Sequence, residues 1–212
     1  MNKSSVQLIG LSGLLGVIIL IASFIINPGP GINPTLHDLI QFSKEHYIST
    51  MIGSWMQAIS PPLIVTFALG IVFIARQNDK LIGMLTFLGG LTLLMVSMIE
   101  VTFYFSALTG TPGTTGLISM QLISSVQRLY GIIAAPFFFF SLSALVIKTN
   151  VLPSLMGYIG FFLGSCFFIL GIIQLFTQIQ DIVNVVSMIQ GFWWLIAAIF
   201  VLKDASRLAN NQ

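Results

Sequence analysis

Two charged side chains interrupt long apolar runs: Glu100 within LLMVSMIEVTFYF and Arg128 within ISSVQRLYGII. In hydrocarbon such a group costs at least about 2.5–3.5 kcal/mol at a span centre, so it calls for an ion partner, a polar path or a ligand. At 1.5 Å per helical residue, Glu100 lies about 12 Å and Arg128 about 16 Å below the uncharged connection 109–116, TGTPGTTG. Two antiparallel helices joined by a turn near residue 112 face each other where residue numbers add to about 225. Glu100 and Arg128 add to 228. The spacing therefore predicts a Glu100–Arg128 ion pair. Such a pair serves either as a fixed register mark or as the charged wall of a ligand or ion path. The remaining reading has no pair, with Arg128 snorkelling to the surface.

Other polar residues collect at a similar depth. Gln57, Gln121, Ser124, Ser125, Gln174, Gln178, Asn184 and Gln190 fall there, accompanied by Trp55, Tyr104, Tyr130, Trp193 and Trp194. Together they predict an outward-facing polar cavity for a small molecule or lipid headgroup, with Glu100, Arg128, Gln57, Gln121, Gln190 and Trp193 as candidate ligand-binding residues. Interhelical amide hydrogen bonds and an interfacial aromatic belt explain the same residues without a ligand. The two histidines, His37 and His46, are nine residues apart and lie outside every apolar run. Helical metal ligation uses a shared i, i+4 face, so neither a zinc site nor an intramembrane bis-histidine haem follows. The single Cys166 sits in GFFLGSCFFILG and is a small buried hydrophobe on this reading. No GxSxG, P-loop, GxGxxG or HExxH is present. No catalytic residue and no cofactor is expected.

The elements that must position these residues are membrane-spanning helices. Of 212 residues, 56% are hydrophobic and 7% charged, with a mean hydropathy of +1.00. A soluble domain carries roughly 25% charged residues. About 20 apolar residues cross about 30 Å of hydrocarbon. Six segments qualify, at about 6–26, 51–75, 81–108, 117–147, 152–177 and 182–202. Lipid offers no partners for backbone polar groups, and these runs lack the alternation of barrel strands. The expected fold class is therefore all-α, a single six-span transmembrane bundle. Segment 6–26 is longer than a signal-peptide core and is expected to stay as an anchor.

Placing Lys3 inside puts Arg76, Lys80, Lys148, Lys203 and Arg207 inside as well, against Lys44 outside. This bias predicts cytoplasmic N- and C-termini in a cell membrane. Between spans 1 and 2, NPGPGINP breaks any helix, and Asn33-Pro34 has the form of an N-cap followed by a first helical residue. Leu36, Leu39, Ile40, Ser43 and Tyr47 then form one stripe, as in a short amphipathic helix on the outer membrane surface. Pro61, Pro62 and Pro136 are expected to kink spans 2 and 4, and Pro153 to open span 5. Gly10, Gly13 and Gly16, and Gly157, Gly160 and Gly164, permit close helix packing. The net charge of +2 without a basic tract gives no footprint for nucleic acid.

Three stretches carry a resemblance: KEHYIS before span 2, VLPSLMGYIGFFLG at 151–164, and GFWWLIAAIFVL at 191–202. Through them the chain resembles a group of uncharacterised bacterial six-span membrane proteins. That resemblance implies six helices in a bacterial membrane and brings no functional residue; Leu155-Met156 departs from the Trp-Leu usual there. Two functions are expected from the whole. One is binding or transport of a small molecule or lipid through the outer cavity. The other is a structural or accessory subunit, held to a membrane-protein partner or a second copy. Membrane lipid is a partner in either case.

Overall fold

The computed structural model describes residues 1–27, 35–110, 114–177 and 179–210. Among them the regular structure is all helix, with no strand. The order is α1 (Lys3–Ile26), α2 (Leu36–Glu45), α3 (Tyr47–Ile74), α4 (Leu81–Thr109), α5 (Thr114–Leu129), a π-helical turn (Tyr130–Ala134), α6 (Ala135–Thr149), α7 (Ser154–Ile173), α8 (Gln180–Lys203) and α9 (Ala205–Asn210). Six helices are long and apolar enough to cross a membrane, with α5, the π turn and α6 acting as one. Their outward surface is apolar: Leu8, Ile25, Phe73, Met95, Phe162 and Phe192 are all exposed. Water is a poor solvent for such a surface and lipid a good one.

The spans form a closed ring in chain order. α1 packs on α3, α3 on α4, α4 on α5 and α6, α6 on α7, α7 on α8, and α8 returns to α1. Neighbours alternate in direction. Gly13 and Gly16 of α1 meet Phe67 and Ile64 of α3, and Gly10 meets Leu202 of α8, so both termini lie at one end. That end also holds Arg76, Lys80, Lys148 and Lys203, beside the turns at Arg76 and Asn150, whose positive φ closes α3 and α6. The opposite end holds α2.

Aromatic rings fill the middle of the ring of helices. Trp194 stacks on Phe138 at 5.5 Å and meets Phe139 at 5.6 Å and Phe67 edge-on at 6.1 Å. All four side chains are fully buried. Glycines let backbones approach around this plug. A Cβ added at Gly171 on α7 would meet the Gly131 carbonyl carbon and the Ile132 nitrogen at 2.7 Å.

The prolines act differently from one another. Pro61 and Pro62 lie inside an uninterrupted α3, where Ser60 Oγ donates to the Gly16 carbonyl at 2.9 Å. Pro136 follows the π turn, in which Ala135 N–H reaches back five residues to the Tyr130 carbonyl. A proline ring clashes with the carbonyl four residues before it, and the wider π turn gives that carbonyl room. Pro153 is the N-cap of α7, one residue ahead of the helix.

The start of α2 corrects the sequence reading. Its cap is Thr35, whose Oγ1 accepts from Asp38 N–H at 3.2 Å while Asp38 Oδ2 accepts from Thr35 N–H at 2.9 Å. This reciprocal capping box wins over Asn33-Pro34 because it satisfies two orphan donors at once. The buried side of α2 carries Leu39 and Phe42, while Tyr47 falls beyond the bend at His46 and is exposed. Residues 28–34 of the NPGPGINP break, the tip of the 109–116 turn and Gln178 lie outside the described residues.

Candidate functional site

α4 and α5–α6 form the antiparallel hairpin expected from the short connection. Ser119 Oγ meets Ser106 Oγ at 3.3 Å, and a Cβ on Gly89 would meet Phe138 Cα at 2.8 Å. The first pair adds to 225 and the second to 227. Glu100 belongs to the same ladder, but its partner is Gln127. Gln127 Nε2 donates to Glu100 Oε1 at 2.9 Å, and these two also add to 227. Among the described residues, no ion pair within 4.0 Å involves Glu100 or Arg128.

The expected direct Glu100–Arg128 pair is therefore replaced, and the reason is angular. Consecutive helical residues are rotated by about 100°. Ile123, Val126 and Ser119 form the buried face of α5, and Gln127 stands at its edge toward α4. One residue further on, Arg128 stands opposite that face, on the stripe with exposed Gln121, Ser124 and Ser125.

Around the carboxyl are hydroxyls and amides. Tyr104 follows Glu100 by one turn of α4. It and Tyr130 of the π turn both lie within electrostatic reach of Glu100. Tyr130 OH donates to Gln190 Oε1 at 2.8 Å, joining the π turn to α8. Gln190 is buried, as is Gln174, whose side-chain oxygen lies 3.8 Å from where a Gly131 Cβ would stand.

The candidate residues thus separate. Glu100 and Gln190 belong to one polar region, with Gln127 and Tyr130 as their partners. Gln57 is half-buried on α3, one turn before Pro61, which cannot donate to the Gln57 carbonyl. Gln121 is exposed on α5, where its carbonyl accepts from Ser125 Oγ at 2.9 Å. Trp193 belongs to the aromatic plug. Its Nε1 donates to the Met156 carbonyl at 2.9 Å, and its ring meets Trp194 edge-on at 4.8 Å. Among the described residues, no three His, Cys, Asp or Glu converge as metal ligands would.

A small cavity of about 30 Å³ opens between α2, α3, α4 and α5, one turn above Glu100. Leu39 and Phe42 of α2 roof it, and Thr50, Tyr104, Leu108 and Met120 line its sides. Sequence reasoning missed Gln127, although the index sum of the hairpin points to it more closely than to Arg128. It also missed Thr50 and Ser54, whose signal is a pair of hydroxyls one turn apart on α3. Comparison with known proteins adds no further constraint: no family model, curated protein or solved structure matches the chain.

Proposed function

We propose that this is a cell-membrane protein with both termini in the cytoplasm, which binds or transports a small molecule or lipid at an outward-facing polar site built on Glu100. The excess of Lys and Arg at the end of the bundle that carries the termini supports this orientation. Hydrocarbon about 30 Å thick takes about 20 helical residues. Counted from Lys80 along α4, that length reaches Glu100. Counted from Lys148 it reaches Arg128, and from Lys203 it reaches Val183 and Asn184. From Arg76 it reaches Trp55 and Met56, and Trp55 is an exposed indole of the kind that sits at the headgroup level.

On this ruler Glu100, Arg128, Asn184 and Trp55 mark the outer boundary of the hydrocarbon, while Gln190, 13 residues from Lys203, lies inside it. α2, most of α5 and the adjoining turns of α3 and α4 then form a cap outside it. The polar outward stripe of α5 needs no protein partner there, since water or headgroups solvate it.

One observation carries the functional reading. Glu100 is half-buried and bonded by a neutral amide, with no cation within 4.0 Å among the described residues. A carboxylate in that setting is stabilised by a proton or by a positively charged or hydrogen-bond-donating ligand group. An ammonium-bearing lipid head or small amine has that chemistry. The test is native mass spectrometry of the protein with phosphatidylethanolamine against phosphatidylglycerol. The ethanolamine adduct should dominate in the wild type and fall severalfold in Glu100→Gln. Equal adducts with both lipids in both proteins would remove the reading.

The tightly filled aromatic plug favours the accessory-subunit reading. A folded Glu100→Gln protein with unchanged adducts, recovered bound to another membrane protein, would select it.

A further inference from the structure

The outward face of α5 presents donors that the protein itself does not use. Gln121, Ser124 and Arg128 are spaced i, i+3 and i+7, so they stand in one line along the helix. Ser and Thr in helices close onto their own backbone by default. Ser125 does so, donating to the Gln121 carbonyl at 2.9 Å. Ser124 makes no such bond, and among the described residues neither the Gln121 amide nor the Arg128 guanidinium has a protein acceptor. α5 carries no Asp or Glu. Glu100 meets α5 through Gln127, about 100° round the helix from Arg128.

A second stripe runs beside the first. Ile118, Leu122 and Leu129 are exposed on the same helix, and Ile133 is exposed one turn below Leu129. A row of donors therefore lies next to a row of apolar side chains. Water solvates the donors but not the ridge. An amphipathic molecule covers both.

Depth selects which amphipathic molecule. Arg128 is 20 residues from Lys148, the length that crosses the hydrocarbon. Ser124 stands about 6 Å and Gln121 about 10 Å farther out, at 1.5 Å per residue. Headgroups fill about 5–7 Å beyond the hydrocarbon on each side. The guanidinium reaches up into that layer on its apolar stem. Its planar fork matches two oxygens of a phosphate.

We propose that this face of α5 binds the phosphate of a phospholipid in the leaflet on the α2 side. Arg128 is the charged anchor, and Ser124 and Gln121 donate to the remaining oxygens. Leu122 and Leu129 lie against the glycerol, and an acyl chain descends over Ile133. The site reads the phosphate that different phospholipids share. The reading at Glu100 concerns preference for an ethanolamine head over a glycerol head, so each can hold or fail without the other.

The test is native mass spectrometry of the full-length protein, titrated with dioleoylphosphatidylglycerol and, separately, with dioleoylglycerol, which has the same chains and no phosphate. The phospholipid should bind and dioleoylglycerol should not. Arg128→Gln should raise the phospholipid Kd by about tenfold, and Ser124→Ala should raise it severalfold. Arg128→Lys keeps the charge and loses the fork, so it should fall between wild type and Arg128→Gln, and it serves if the glutamine variant does not fold. Lys44→Gln removes the other cation at this end and should leave the Kd unchanged. An unchanged Kd in folded Ser124→Ala and in a folded Arg128 variant would overturn the proposal. Equal binding of dioleoylglycerol would overturn it too, since the chains alone would then choose this face. So would displacement of the lipid by millimolar inorganic phosphate, which would mark an open anion site instead.

Discussion

Around Trp194 the helices meet through rings and glycines; around Glu100 they meet through hydroxyls, amides and a carboxyl. The first region is closed on itself. Phe67, Phe138, Phe139 and Trp194 leave no exposed surface, and glycine backbones touch their neighbours directly. The second region is looser. Glu100 is half-buried, Arg128 stands apart, and a cavity opens under α2. The difference follows from what each material can do in lipid. Apolar groups gain little from leaving hydrocarbon, so close packing and dispersion must hold the ring together. Polar groups at the headgroup level retain access to water and can be left for chemistry.

Substitutions sharpen this contrast, and the largest effects belong to the packed region. Trp194→Ala should destabilise the bundle by about 3–5 kcal/mol, because the plug cannot collapse around the void. Steric-trap unfolding in bicelles measures it. Trp194→Phe should lose far less, since the Trp194 N–H has no hydrogen-bond partner to give up. Equal losses for the two would show that the ring volume is not what matters. Gly171→Ala should follow, at about 1–3 kcal/mol, because the added methyl meets backbone of the π turn rather than a movable side chain.

The polar region should respond more mildly in stability. Gln127→Leu removes the donor to Glu100 and should cost about 1–3 kcal/mol. The same substitution should alter lipid selectivity, whereas the Trp194 variants should leave selectivity intact wherever they fold. Tyr130→Phe should cost about 0.5–1.5 kcal/mol through loss of the Gln190 bond. A larger loss for Tyr130→Phe than for Trp194→Ala would reverse the comparison.

The smallest effect lies at the cap of α2. The Thr35 hydroxyl and backbone N–H hold the Asp38 carboxyl below its ordinary value of 3.8. A lowered folded value means that the contribution is present above the unfolded value and lost as pH falls through the folded one. Spin-label mobility at position 41 should therefore rise below about pH 4 in the wild type. In Asp38→Asn it should be higher already at neutral pH and nearly flat across the same range.

Hydropathy and charge alone determined that six long apolar helical segments exist and which end gathers the basic residues. These are properties of a chain and its solvent, since about 20 apolar residues have one economical use. Turn length also set the α4–α5 register, because a short connection leaves little freedom in which residues face each other. Tertiary structure decided what a one-residue step of about 100° decides. Glu100 meets Gln127 instead of Arg128, and Trp193 packs into the aromatic plug. The closing of the ring between α1 and α8, the π turn that gives Pro136 room, and the roofing of Thr50 and Tyr104 by α2 are of the same kind. Each depends on side chains far apart in the sequence competing for one space, and a linear pattern holds no record of that competition.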